Sequence, residues 1–450
     1  MIQYNKKMTT LFIFSIIVML NEVQNIALDS VKEGKSVFIT GSPGTGKSFL
    51  LKYIIQYFND KHKTIAITAS TGCSATLIGG QTIHSYLSMG IGNTTIDNVV
   101  AQIKNYKGKY NNIMKMRAMI LDEISMIDDE TFDRISSILK KVRDDNRPFG
   151  GIQVILVGDF CQLSPVSGSF CFTSSSWNEL NPTIVQLTEL VRQKDDMVFQ
   201  KILQEIRFGK CSKKTFGVLN ELQNTRFTNI KPTKLYSLNR DVGQINKREF
   251  DIIYLKKNNS LAETAPIIQC FPTATDEIHL NSLSITDNDI DKCIFRYNAL
   301  SNDKSAKLDD YVVELFKGLQ IMVTRNICFD TNLINGTIGI VTHLTKHSVR
   351  IKDTRGMTHT IIYHTDTNKN TKMHYKFMPI RLSYALSIHK SQGATLDAIE
   401  VDGSTSIFAS GQLYTALSRA RDMFSIRLMN FDKGSIMCNQ IVKDFYANIQ

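Results

Sequence analysis

The feature that most constrains this chain is a strand, a glycine-rich loop and a helix in direct succession at residues 37–58. Residues 37–40 are apolar or β-branched, as in a strand that is buried on both faces of a parallel sheet. Residues 41–48 match the pattern G-x-x-x-x-G-K-[ST] at every fixed position. A helical stretch follows, and the positive N-terminal end of a helix attracts phosphate. This succession predicts a nucleoside-triphosphate site at the edge of an α/β sheet.

The fixed positions of this loop have separate predicted tasks. Its glycines allow the backbone to turn so that several N–H groups point at one anion. Lys47 can extend to the β- and γ-phosphates, and the Ser48 hydroxyl can ligate Mg²⁺. A nucleoside triphosphate with Mg²⁺ is therefore the predicted cofactor.

A second apolar strand, predicted at 118–121, leads directly into two acidic residues, Asp122 and Glu123. If this strand lies in the same sheet as the loop, Asp122 comes close to the Mg²⁺ held by Ser48. Glu123 is then placed to orient or deprotonate the attacking water. The alternative is a solvated acidic pair, but an apolar strand before the pair and a phosphate loop upstream favour the catalytic interpretation.

Three further polar residues are candidates for sensing or stabilising the γ-phosphate. Gln162 follows a third predicted strand at 154–157 and is an uncharged donor and acceptor. Arg192 and Arg419 could supply the positive charge that phosphoryl transfer requires opposite the loop. Taken alone, each arginine is more typical of a surface ion pair that contributes little to stability.

Charge and cysteine usage narrow the class of protein further. The 450 residues carry a net charge of +11, which suggests a polyanionic partner, with nucleic acid the leading candidate, but is equally typical of a charge that serves only solubility. The eight cysteines include no C-x-x-C pair, which predicts reduced thiols in an intracellular protein and argues against a zinc site.

The N-terminal residues form an apolar extension. Residues 11–20 follow two lysines and resemble the apolar core of a signal peptide, but the run is too short to span a bilayer. Two other interpretations are a helix packed on the body of the protein and a reading frame that begins at Met19. No stable membrane insertion is expected.

The remaining chain divides by its pattern. Strands and helices alternate from residue 20 onward, which predicts a parallel sheet covered on both faces. Short strands with turn signals later in the chain predict a small inserted β-barrel. The predicted units are an extension at 1–19, a first α/β domain at 20–184 with an insertion near 85–112, a second α/β domain formed by 185–311 and 377–450, and the barrel at 312–376.

Seven motifs occur in a fixed order and carry a family resemblance. They are GSPGTGKS, TASTGCSAT, LDEISMID, GDFCQLSPV, LTELVRQ, SIHKSQGATLD and YTALSRAR. This order resembles that of superfamily 1 helicases. Two more segments, 148–153 and 317–339, resemble the Pif-one type (petite integration frequency family) within the 5′-to-3′ branch, superfamily 1B, which is related to RecD. The resemblance covers about residues 20–430.

The resemblance implies a fold and an activity. The fold is α/β, with two RecA-like parallel-sheet domains and an inserted SH3-like barrel. The activity is ATP-dependent movement in the 5′-to-3′ direction on single-stranded DNA, with unwinding of tailed duplexes, in replication, repair or recombination. Single-strand-binding or replication proteins are candidate partners. The expected location is the nucleus or a cytoplasmic viral replication site, with the mitochondrion as an alternative.

The resemblance also implies roles for individual residues. Gln24 is the implied adenine contact, and the segment with Gly72 is implied to face DNA on the first domain. Residues implied in nucleotide binding are Gln24, Gly41, Ser42, Gly44, Thr45, Gly46, Lys47 and Ser48. Residues implied in catalysis or Mg²⁺ coordination are Lys47, Ser48, Asp122, Glu123, Gln162, Arg192 and Arg419. Residues implied in DNA binding are Thr71, Gly72, His84, His389, Lys390, Ser391 and Gln392.

Some positions depart from the family pattern, and two rival functions follow from the residues alone. Ser70, Ser74 and Ser164 stand where proline, alanine and proline are usual, but no catalytic group is lost. One rival is a P-loop switch or AAA-type ATPase that acts on proteins, which leaves the HKSQG and ALSRAR segments unexplained. The other is a binding protein without turnover, although every implied catalytic residue is present.

Overall fold

The structure is a computed structural model that describes most of the chain. The described residues are 20–90, 94–189, 196–227, 231–237, 239–258, 268–270, 292–295, 298–299, 312–325, 327–328, 331, 333, 335–368, 373–404 and 406–449. The apolar extension at 1–19 and the candidate Arg192 lie outside them. Among the described residues, no helix is both long enough and apolar enough to cross a membrane.

Fourteen α-helices lie in the described part of the chain. They are α1 (Glu22–Lys32), α2 (Lys47–Asp60), α3 (Gly72–Leu77), α4 (Ile83–Leu87), α5 (Ile96–Asn105), α6 (Lys107–Lys115), α7 (Asp129–Arg143), α8 (Ser175–Leu180), α9 (Met197–Arg207), α10 (Lys213–Glu221), α11 (Asn239–Asn258), α12 (Ile388–Ser391), α13 (Gln412–Leu417) and α14 (Gln440–Ala447). Short 3₁₀ turns lie at Ile124–Met126, Pro148–Gly151, Cys171–Thr173, Leu222–Asn224, Met423–Ser425 and Lys433–Ser435.

The first sheet is parallel and has the strand order β3-β2-β4-β5-β1-β6. Its strands are β1 (Val37–Gly41), β2 (Ile65–Ala69), β3 (Gln81–Thr82), β4 (Ala118–Asp122), β5 (Gln153–Gly158) and β6 (Thr183–Leu187). Both faces are covered: in β1, Phe38 packs into one apolar cluster while Val37 and Ile39 pack into another. Burial on both faces explains why these strands are continuous apolar runs in the sequence.

A second parallel sheet has the order β19-β7-β20-β21. Its strands are β7 (Thr233–Tyr236), β19 (Ala385–Ser387), β20 (Ile399–Asp402) and β21 (Ile426–Met429). The apolar cluster that contains Phe38 also contains Leu235, Leu413 and Tyr414, so the two parallel sheets share one core. The α/β class with two parallel-sheet units is therefore confirmed.

Between β7 and β19 the chain forms smaller sheets. Five antiparallel strands have the order β15-β14-β13-β12-β18, and two three-stranded sheets have the orders β10-β17-β16 and β11-β9-β8. These strands are β8 (Ile268–Cys270), β9 (Lys292–Phe295), β10 (Asn298–Ala299), β11 (Val313–Phe316), β12 (Gln320–Val323), β13 (Ile338–Leu344), β14 (Ser348–Asp353), β15 (Thr358–Ile362), β16 (His364–Asn368), β17 (Met373–Phe377) and β18 (Ile380–Leu382). The SH3-like character of this region stays a prediction.

Two predicted boundaries fall inside structural elements. The boundary at 184/185 cuts β6, whose residues pair in parallel with β1, for example Val37 with Thr183. The boundary at 376/377 cuts β17 and leaves out β18, which pairs with β12. Both boundaries follow changes in the local sequence pattern. Strand pairing depends on distant residues and is invisible to such a pattern.

Candidate functional site

The glycine-rich loop lies between β1 and α2, at the carboxyl edge of the first sheet. Gly44 and Gly46 have φ angles of 90° and 86°, which L-residues with a side chain rarely adopt. A Cβ atom on Gly46 would also lie 2.6 Å from Nε2 of Gln24. Both glycines are therefore required by backbone shape, and at Gly46 also by the close approach of Gln24.

Gln24, the implied adenine contact, is buried against this loop. Its backbone N–H donates to the Asn21 side chain at 2.8 Å, and its Oε1 accepts from the Asn21 backbone at 3.1 Å. Its Nε2 lies 3.5 Å from the carbonyl oxygen of Thr45. The Gln24 side chain thus joins the N-terminus of α1 to the loop.

Lys47, the first residue of α2, folds back over the loop. Its Nζ donates to the carbonyl oxygens of Gly41 and Ser42 at 2.6 and 3.0 Å. The Thr45 hydroxyl donates to the same Ser42 carbonyl at 2.8 Å. Burial lowers the pKa of Lys47 to about 8, although the carboxylate of Asp159 acts in the opposite direction. Its charge therefore changes within a pH range in which the protein can be studied.

This pKa predicts that binding of a nucleoside triphosphate weakens above pH 8. Below pH 8 the Lys47 ammonium is charged and attracts phosphate, whereas above it the amine is neutral. We expect the dissociation constant for ATP, measured without Mg²⁺ by fluorescence of a labelled analogue, to rise about tenfold between pH 7 and pH 9. A Lys47→Arg variant keeps its charge over this range and should show a shallower rise, because Asp122, with its pKa of about 7, still changes charge there. An equally steep rise in that variant would assign the effect to another group.

Asp122 ends β4 and is buried. Burial, together with the neighbouring Glu123 carboxylate, raises the pKa of Asp122 to about 7. Its Oδ1 accepts the Glu123 backbone N–H at 2.9 Å, while the Ser48 side chain is exposed at the start of α2. A buried carboxyl whose charge is destabilised by burial fits a cation ligand, because a nearby cation would favour the ionised form.

A divalent cation at this site would take few ligands from the protein. The described residues contain no cluster of three or more His, Cys, Asp or Glu side chains that could hold a metal ion. One hydroxyl, from Ser48, and one carboxylate, from Asp122, match the way Mg²⁺ is held beside substrate phosphates, with water and phosphate oxygens completing its shell. These two residues therefore fit Mg²⁺ brought in with a nucleotide.

Glu123 is held from two directions. Its backbone is left-handed, with φ 53° and ψ 47°, and its carbonyl oxygen accepts from the Ser70 hydroxyl at 2.8 Å. Its Oε2 accepts from Nε2 of Gln392, in the second parallel-sheet unit, at 2.8 Å. The candidate base is therefore tied to both units.

Gln162 and Arg419 also meet across the two units. Arg419 is buried, its Nη2 lies 3.4 Å from Oε1 of Gln162, and its Nε donates to the Thr415 carbonyl at 3.0 Å. Burial lowers the pKa of Arg419, and the Glu123 carboxylate opposes that shift. An arginine and a glutamine from opposite units are thus brought together, and the arginine also interacts with the Glu123 carboxylate.

The residues predicted to contact DNA are distributed unevenly between surface and interior. Gly72 and His84 are exposed and Thr71 is half-buried. In the second unit Lys390 is exposed and His389 is half-buried, and burial lowers the pKa of His389.

The other two members of that segment are turned inward. Ser391 is fully buried and its hydroxyl donates to the Ile388 carbonyl, while the Gln392 side chain is bonded to Glu123. Of the four residues that were predicted to contact DNA in this segment, only His389 and Lys390 have side chains at the surface, and the DNA contacts themselves stay a prediction.

A buried polar cluster around Asp159 was not indicated by any sequence pattern. This carboxylate accepts from Arg207 Nη2 at 2.9 Å, from Tyr414 at 3.1 Å and from Tyr446 at 3.2 Å. The Tyr446 hydroxyl also lies 2.6 Å from that of Thr40 in β1. These partners come from α9, α13 and α14, so no local pattern could have connected them.

Comparison with known proteins gives consistent matches. The PIF1-like helicase family model matches residues 19–216. ATP-dependent DNA helicase RRM3 of Saccharomyces cerevisiae is 30% identical, with 96% of this chain and 68% of that protein aligned. The chain spans just under two thirds of the vertebrate ATP-dependent DNA helicases PIF1 that it matches, 63% of the mouse protein and 64% of the human one.

Solved structures match over nearly the whole chain. The crystal structure of Pif1 helicase from Candida albicans has a TM-score of 0.75 at 29% identity, with 96% of this chain and 100% of that chain covered. Pif1 helicase from Bacteroides in complex with ADP-AlF3 and ssDNA has a TM-score of 0.60 at 25% identity, with 96% and 97% covered. Sequence and fold therefore match the same group of proteins.

Proposed function

This chain belongs to the PIF1-like helicase family, and from that premise we propose that it is an ATP-dependent DNA helicase that moves 5′-to-3′ along single-stranded DNA. The observation that carries the proposal is the site formed between the two parallel-sheet units. Gln162 meets Arg419 there, and Glu123 meets Gln392. A nucleotide bound at such a site acts on both units, so hydrolysis changes how they close on each other.

The hydrolysis chemistry follows from the placement of the side chains. Lys47 exchanges its bonds to the loop carbonyls for bonds to the β- and γ-phosphates. Glu123 accepts the proton of the attacking water, while Arg419 stabilises the charge that develops on the γ-phosphate. Ser48 and Asp122 would hold Mg²⁺, which would supply positive charge to the phosphate oxygens. Arg192 is proposed for the same charge-stabilising role as Arg419.

DNA is the proposed partner. The net charge of +11, the exposed Lys390 and the relatives described as DNA helicases support this assignment, as does the Bacteroides relative crystallised with ssDNA. Contacts to the phosphate backbone would give weak sequence preference and strong salt dependence. The antiparallel sheet at 320–382 is proposed to guide the strand. Replication, repair or recombination in a nucleus or a viral replication site is the proposed setting.

The decisive test compares unwinding of duplexes that carry a single-stranded 5′ or 3′ tail, with ATP and Mg²⁺. We expect strand separation from the 5′-tailed duplex alone, followed by fluorescence of a labelled strand. Lys47→Ala is expected to abolish it, because the phosphates lose their principal cation. Unwinding only from the 3′ tail would keep the helicase activity and overturn the direction. If the rate of ATP hydrolysis did not change when DNA was added and neither substrate was unwound, an ATPase that acts on proteins would be favoured instead.

A further inference from the structure

Gln392 occupies a position that is unusual for a residue in a predicted DNA-binding segment. It follows α12, its side chain is 1% exposed, and its Nε2 donates to Oε2 of Glu123 at 2.8 Å. A phosphate backbone could not approach this amide without displacing the protein around it. Among the described residues, the polar group that its Nε2 contacts is the carboxylate of the candidate catalytic base.

The orientation of this amide is fixed by chemistry. An ionised carboxylate only accepts hydrogen bonds, so the NH₂ group of Gln392 must face Glu123. Oε1 of Gln392 is then buried, and it has no hydrogen-bond partner among the described residues. A buried acceptor without a partner is unfavourable, and such groups in folded proteins need an explanation. Contact with the Glu123 carboxylate supplies one.

Both segments predicted to face DNA converge on Glu123. On the first unit, the Ser70 hydroxyl holds the Glu123 carbonyl oxygen at 2.8 Å, one residue before Thr71. On the second, a Cβ atom at Gly393, next to Gln392, would lie 2.9 Å from Leu77 in α3. The two segments therefore lie against each other, and each also contacts Glu123, the first at its backbone carbonyl oxygen and the second at its carboxylate.

We infer that Gln392 positions Glu123 for hydrolysis and is not a DNA contact. Through this contact, binding of a DNA strand at His389 and Lys390 affects the hydrolysis site. The Gln392 amide holds one carboxylate oxygen and leaves the other to accept the proton of water. A strand bound at Lys390 shifts α12, and Gln392 moves with it. This inference rests on the proposed DNA-stimulated hydrolysis of ATP and assigns one hydrogen bond as the link.

The test separates turnover from DNA binding in the Gln392→Ala variant. We expect the turnover number at saturating single-stranded DNA to fall about tenfold or more, as for loss of one charge-assisted hydrogen bond. The dissociation constant for a labelled oligonucleotide, measured by fluorescence anisotropy, should change by less than about twofold, and its salt dependence should not change. Lys390→Ala, two residues away and exposed, should instead weaken oligonucleotide binding and make its salt dependence shallower by about one unit of slope.

A second variant keeps the test decisive if alanine unfolds the segment. Gln392→Glu has nearly the same size but places two carboxylates together, so turnover should be low at pH 8. As the pH falls from 8 to 6, its turnover relative to the parent protein should rise, because the introduced carboxyl, once protonated, can again donate to Glu123. When Glu123→Gln is already present, adding Gln392→Ala should lower turnover by less than about twofold further. The reason is that Gln392 acts through the Glu123 carboxylate, which is already absent.

The outcomes distinguish this inference from the proposed function. Parent-like turnover in Gln392→Ala with weakened DNA binding would overturn the positioning role and restore the predicted DNA contact. A pH-independent activity ratio in Gln392→Glu would overturn it as well. Absence of DNA-stimulated hydrolysis in the parent protein would instead overturn the proposed function, and the inference with it.

Discussion

Replacing Arg207 with alanine is expected to lower the free energy of unfolding by about 3–5 kcal/mol, which is typical of breaking a buried ion pair. Arg207 ends α9 and is 4% exposed, and its partner Asp159 is fully buried. The guanidinium makes two short contacts to that carboxylate, Nη2 to Oδ1 at 2.9 Å and Nε to Oδ2 at 3.1 Å. In the described part of the chain, its loss leaves this buried negative charge with hydroxyl and backbone amide donors alone.

The effect should depend on pH in a defined direction. Burial by itself would raise the pKa of Asp159, but the Arg207 guanidinium outweighs it and holds that pKa below the usual value. In the parent protein this stabilisation is therefore present above the usual aspartate pKa and is lost only as the pH falls through the lower, folded value. In Arg207→Ala the carboxyl can be neutralised by a proton more readily. The decrease in the free energy of unfolding caused by Arg207→Ala should therefore be smaller at pH 5 than at pH 8.

Urea unfolding followed by circular dichroism measures this prediction. Arg147→Ala is the matched control, because Arg147 forms an exposed pair with Asp145 and its loss should leave the transition almost unchanged. The double substitution of Asp159→Asn with Arg207→Met should recover part of the loss, since it removes both buried charges. A deficit in Arg207→Ala below about 1 kcal/mol would show that the pair does not hold these segments together.

Replacing Glu123 with glutamine should lower ATP turnover by about a hundred- to ten-thousandfold, the range expected for loss of a general base. The amide has the same shape as the carboxylate, and its oxygen can still accept from Gln392, so the contact between the two units is preserved. ATP binding should persist, because Lys47 and Ser48 are untouched. The variant therefore isolates proton acceptance from nucleotide binding.

Steady-state hydrolysis and binding of a fluorescent ATP analogue, measured on the same preparation, test this expectation. Glu130→Gln is the control: that glutamate is exposed in the first turn of α7, beyond the site. Its turnover should match that of the parent protein. If Glu123→Gln retained turnover within about threefold, another group would have to accept the proton, and the role assigned to Glu123 would be wrong.

Local elements followed directly from the sequence. The strand predicted at 37–40 is observed at Val37–Gly41, and the acidic pair follows a strand at Ala118–Asp122 where one was predicted at 118–121. These segments are predictable because a strand that is buried on both faces of a parallel sheet must be a continuous apolar run, whichever strands it pairs with. The phosphate loop is also predictable locally, because its glycines adopt positive φ angles that residues with a side chain rarely adopt.

Domain limits and the partners of buried polar groups did not follow. β6 belongs to the first sheet because Thr183 pairs with Val37, which is distant along the chain, and no periodicity in 183–187 expresses that pairing. Asp159 is satisfied by Arg207, Tyr414 and Tyr446 from three separate helices. A buried charge must find its donors wherever the fold brings them.

By itself, then, the sequence determined the chemistry available to this protein. It contains a phosphate loop, two acidic residues suited to bind a metal ion and to accept a proton, and motifs in the order that resembles a helicase. Only the tertiary structure decided how those groups are connected. It turned Gln392 away from the surface and onto Glu123, and it placed Arg419 beside Gln162. The reason is physical: a side chain's identity limits which bonds it can make, but burial and the approach of distant segments select which of them it does make.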